Sequence, residues 1–164
     1  MRPAITIIFA ALTAISSAQG WEELPTWDEF GDLTGGSVLS QYCEGTFSNS
    51  ATANSDLSVR ISIQHEILML DLFEYKQQPG AKLSREATLG KIKVKRADGT
   101  VEEYQAFAPD QGGLWFPPGY QMKFLDLVMD GDGEEITVLI KEKDFSEYGT
   151  ATYRFKMVTM GGAE

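Results

Sequence analysis

The feature that most constrains this chain is the alternation in Leu57-Ser-Val-Arg-Ile-Ser-Ile63. Leu57, Val59, Ile61 and Ile63 are apolar, and Ser58, Arg60 and Ser62 between them are polar. Successive side chains of an extended chain point to opposite faces, so a period of two puts one face in a core and the other in water. A helix would scatter the same residues around its circumference. The segment is therefore predicted to be a half-buried strand, and whatever the rest of the chain builds must include a sheet.

Other segments carry related patterns. Ile67 to Tyr75 is apolar on both parities, which predicts a central strand covered on both faces, and Gln64-His65-Glu66 supplies a tight connection to it. Lys91 to Lys95 places Ile92 and Val94 inward and three lysines outward. The Asp98-Gly99 pair after it is a hairpin turn signal, with a return strand from Val101 to Phe107. Glu135 to Lys141 and Ala151 to Val158 read as two further strands, the second with Tyr153, Phe155 and Met157 on one face. The small and polar run from Ser48 to Asp56 reads as a surface loop.

Helical signals are few. Pro117 and Pro118 before Tyr120 to Asp130, and Gly131 after it, suit a short helix with a glycine stop. Thr26-Trp-Asp-Glu29 matches a capping box, which predicts a second short helix opening at Trp27. Six to eight strands with short turns and one or two short helices predict a mostly β fold, a single antiparallel β-sandwich or small barrel.

The first residues, MRPAITIIFAALTAISSAQG, run from one basic residue through an apolar stretch to small residues, the layout of a secretory signal. The apolar run is shorter than the ~20 residues of a spanning helix. Residues 1–18 are read as a cleaved signal peptide and 19–164 as a single β-rich domain, leaving no integral membrane segment after cleavage. Eukaryotic secreted domains often carry paired cysteines or an Asn-x-Ser/Thr acceptor, and neither is present, since Asn49 and Asn54 are not followed by a completed acceptor. The bacterial periplasm or medium is the expected compartment.

Composition then removes several classes of function. With one histidine and one cysteine, multi-histidine zinc sites and internal disulfides are excluded. A formal charge of −10 disfavours nucleic-acid phosphates. No cofactor is implied. Cys43 shares strand parity with Leu39 and Phe47 and is expected to be buried; unpaired in an oxidising compartment, it is also a candidate for an intermolecular disulfide. His65, in its turn, is expected to be solvated. No Gly-x-Ser-x-Gly nucleophile motif occurs.

Two candidate sites remain. Asp130 and Asp132 have the spacing that opens a calcium loop, with Glu134 following, but the loop's sixth-position glycine is Glu135, so an EF-hand is rejected and a plain turn is the first reading. Trp115, Phe116 and Tyr120 lie among glycines and prolines that oppose regular structure, and aromatics on a stiff loop give contact area at low entropic cost. The alternative is that Trp115 and Phe116 fold inward and plug the core. The functional expectation is an exported, non-enzymatic binding or accessory domain with an acidic surface, touching a protein partner through Trp115, Phe116 and Tyr120. A module for carbohydrate or another small ligand is second, and a small hydrolase third.

Overall fold

The computed structural model describes residues 20–75, 89–108, 113–145 and 149–161. The proposed signal, residues 1–18, lies outside them. The strands in chain order are β1 (Glu22–Trp27), β2 (Leu33–Ser48), β3 (Ser55–Gln64), β4 (Ile67–Glu74), β5 (Leu89–Lys95), β6 (Val101–Phe107), β7 (Gly113–Leu114), β8 (Glu135–Lys141) and β9 (Thr152–Val158). One helix, α1 (Pro118–Met129), and a 3-10 turn at Glu142–Asp144 complete the described elements. The fold is the expected mostly β one, with nine strands in place of six to eight.

All pairings are antiparallel, in the order β6-β5-β8-β9-β2-β3-β4-β7, with β1 on β2. The two ends of this order meet, because Phe107 and Trp115 exchange both backbone hydrogen bonds at 2.8 and 2.9 Å. The sheet is thus a nearly closed barrel, which leaves few unpaired edges. Alternation fills its interior. Leu57, Val59 and Ile61 of β3, Leu68, Leu70 and Leu72 of β4, and Ile136, Val138 and Ile140 of β8 are fully buried. Gly45 is required where β2 meets β9, since a Cβ there would lie 2.3 Å from the Arg154 carbonyl oxygen.

Helix α1 starts at Pro118, where the missing N–H is not needed. It buries Phe124, Leu125, Leu127 and Val128, and Phe124 packs against the rings of Tyr104 and Phe116, each 5.0 Å away. Gln121 Nε2 donates to the Glu66 carbonyl at 2.7 Å, tying the helix to the β3–β4 turn.

Two sequence expectations fail. Thr26 to Glu29 does not open a helix: Glu22–Trp27 is a strand, and Asp28 Oδ1 accepts the N–H groups of Phe30 and Asp32, both at 2.9 Å. Asp28 therefore closes a hairpin, a role its short carboxylate fills as readily as a helix start. Strand β4 is not covered on both faces either. Leu68, Leu70 and Leu72 face the core, but Ile67 is exposed and Met69 and Phe73, on the opposite face, are only half-buried.

Candidate functional site

The outer face of the barrel is where the chain's remaining chemistry lies. The β3–β4 turn is a two-residue one in which His65 and Glu66 both take positive φ, at 49° and 63°, the backbone of a type I′ hairpin. That turn fixes the register, so Arg60 of β3 stands opposite Asp71 of β4, and both point outward. Arg60 Nε and Nη2 donate to Asp71 Oδ2 at 3.0 and 2.8 Å. The hydrogen bond that Arg60 donates to Asp71 raises its pKa above the ordinary value against the opposing effect of burial, and Tyr42 acts in the same direction as Asp71.

Tyr42 of β2 is the register partner of Arg60, and Gly113 of β7 is the partner of Asp71. A Cβ built on Gly113 would lie 3.6 Å from Trp115 Nε1 and 3.7 Å from Asp71 Oδ1, so the indole and the carboxylate border the same gap. The result is one row across four strands: Tyr42, Arg60, Asp71 and the indole of Trp115. Strands lie ~4.8 Å apart, which makes the row roughly 14 Å long. Its two aromatic ends are the exposed ones, Tyr42 at 55% and Trp115 at 41%. Beside it a furrow of about 210 Å³ runs from Leu24 and Val38 past Ser40 and Ser62 to Tyr42 and Arg60.

The three aromatics proposed from sequence separate here. Trp115 is at the surface, Phe116 is buried at 6% exposure in the core, and Tyr120 is half-buried with Lys123 Nζ 5.8 Å from its ring centre. Tyr42, Arg60 and Asp71 are additions from the structure. The signal for two of them is present in the sequence, since a two-residue turn at His65-Glu66 places Arg60 against Asp71.

The other candidates are placed as follows. Cys43 is 2% exposed, its Sγ donates to Gln41 Oε1 at 3.4 Å, and burial pushes its pKa up to about 12. A thiol so held stays protonated and out of a partner's reach, so the fold offers no exposed sulfur for an intermolecular disulfide. His65 lies six positions along β3 from Val59, the register partner of Cys43, or about 20 Å at strand rise. They do not form a catalytic pair.

Gln41 holds two strands together. Its amide donates to the Val158 carbonyl at 3.1 Å and accepts the Val158 N–H at 3.2 Å, bridging β2 and β9 beyond their last paired residues. Glu134 accepts from Arg96 Nη2 at 2.7 Å and from the Ala97 N–H at 2.6 Å, and the Arg96 guanidinium holds it below the usual carboxylate range. Its carboxylate is thus engaged in closing the β5–β6 turn. Among the described residues no three His, Cys, Asp or Glu side chains converge as a metal site.

Searches of protein-family models, of curated proteins and of solved structures return no match to this chain. Among the described residues no helix is long and apolar enough to cross a membrane.

Proposed function

We propose that this chain is an exported, non-enzymatic binding domain that contacts a protein partner through the row from Tyr42 to Trp115. The observation that carries the reading is the pairing of two exposed aromatics with an oriented ion pair on an open wall. Trp, Tyr and Arg are enriched at protein interfaces, the two aromatics because they bring large contact area with few rotatable bonds to freeze and Arg because its planar fork makes directed hydrogen bonds. Asp71 fixes Arg60 in one orientation before any partner arrives, which lowers the ordering cost of binding. The adjoining furrow, at about 210 Å³, is smaller than the roughly 300 to 1,000 Å³ of small-ligand pockets. That difference favours a protein over a small molecule.

Sugar binding is the second reading, because exposed rings beside Arg60 and Asp71 also suit a pyranose face and its hydroxyls. A photocrosslinking residue placed at position 42 and, separately, at position 115 tests the first reading in the producing cell. The same protein should be captured from both positions and not from Met129, exposed at the end of α1 outside the row. Capture from neither position, together with quenching of tryptophan fluorescence by glycans, would replace the protein partner with a sugar.

A further inference from the structure

The acidic chain carries a basic wall. On the outer faces of β5, β8 and β9, register aligns Lys93 with Leu139 and Arg154, and Lys95 with Thr137 and Lys156. Together with Val101 they line a concavity of about 610 Å³. Glu103 pairs with Lys93 at 3.2 Å and Glu135 with Lys156 at 2.7 Å, while Lys95 and Arg154 form no ion pair among the described residues. Cations thus surround an apolar floor at Leu139 beside the exposed side chain of Val101.

The complementary surface is on the same chain. Strand β2 pairs with β3 only from Leu39 and with β9 only from Gly45, so among the described residues Leu33 to Val38 pair with β1 alone and form a two-stranded arm beyond the barrel rim. Between Leu24 and Val38 the arm has Asp28, Glu29 and Asp32 and no Lys or Arg, and Glu22 and Glu23 lie at its base. Trp27 and Leu33 are register partners near the end of the arm, 60% and 61% exposed, and Phe30 at the tip is 82% exposed. An exposed apolar cluster of this kind marks a contact surface.

We propose that the arm of one copy docks in the basic concavity of a second copy. Acidic groups around large apolar side chains meet basic groups around an apolar floor, and a space of about 610 Å³ is of the order that accepts a few rings. The two surfaces differ, so the contact is heterologous: each copy keeps one free arm and one free wall, and association runs head to tail. This interface is separate from the Tyr42–Trp115 row and does not depend on it.

Sedimentation velocity of the exported chain over a range of concentrations tests the proposal. The average mass should rise with concentration. One variant reverses the arm (Asp28→Lys, Glu29→Lys, Asp32→Lys) and a second reverses the wall (Lys93→Glu, Lys95→Glu, Arg154→Glu). Each alone should be monomeric, and their mixture should associate again, because the acidic arm of the second meets the basic wall of the first and the reversed arm of the first meets the reversed wall of the second. Phe30→Ala, at a side chain too exposed to matter for folding, should weaken association of the parent at least tenfold. A parent that stays monomeric at every concentration overturns the proposal, as does a parent insensitive to Phe30→Ala or a mixture that stays monomeric. A monomeric parent retained on heparin through the wall overturns it in favour of a polyanion.

Discussion

Two stretches of the same barrel wall, built on the same pleat, carry opposite kinds of surface. Across β2, β3 and β4 the outward positions hold Tyr42, Arg60 and Asp71, with the one cation matched by a carboxylate that accepts two of its N–H groups and aromatic rings at the ends. Across β5, β8 and β9 they hold Lys93, Lys95, Arg154 and Lys156 around Leu139, with cations in excess of carboxylates. Behind both walls the inward residues are buried and apolar apart from Gln41, whose amide is hydrogen-bonded to Val158 and Cys43. The fold is therefore indifferent to which surface lies outside it, and the difference belongs to recognition. A net charge of −10 is an average over such a surface and hides a basic wall beside an acidic arm.

Salt separates the two walls most strongly. The Debye length falls from about 14 Å at 0.05 M to about 4 Å at 0.5 M, so attraction through the lysine wall should weaken at least tenfold over that range. Partner capture through Trp115, which rests on area and a pre-paired Arg60, should change less than twofold. Equal salt sensitivity in sedimentation and crosslinking would erase the distinction.

Stability separates them less. Asp71→Ala leaves Arg60 without its partner and should cost on the order of 1 kcal/mol, the upper end for partly exposed pairs. Lys95→Ala removes no ion pair formed among the described residues and should stay within about 0.5 kcal/mol of the parent. Denaturant unfolding of the two variants side by side checks this, and a larger loss at Lys95 would mean that the basic wall contributes to the fold.

The legible parts of this protein are the local ones. Alternation at Leu57 to Ile63, the Asp98-Gly99 turn and the proline-led helix each depend on residues within one or two turns of chain, and each appears as read. The arm misleads at Thr26 to Glu29 because a carboxylate at Asp28 serves a hairpin or a helix equally well, and only the pairing of Trp27 with Leu33 decides. The two walls are harder. Arg60 opposite Asp71 follows from the length of one turn, but Tyr42 joins them through the β2–β3 register, and Trp115 arrives only when β7 pairs with β4 near the barrel's closure. The basic wall needs β5, β8 and β9 side by side, and the β5–β8 pairing joins residues more than 40 positions apart. For the same reason a loop full of glycine and proline does not disclose the fate of Trp115 and Phe116: adjacent residues at a barrel rim take opposite faces.

The central claim is that Trp115 serves contact and not the core, and one variant measured in two ways tests it. Trp115→Ala should unfold within on the order of 1 kcal/mol of the parent, as expected for an exposed interface anchor, while crosslinked capture from position 42 is lost. A stability loss of roughly 3 to 5 kcal/mol, the cost of deleting a buried aromatic, or undiminished capture from position 42 would contradict it.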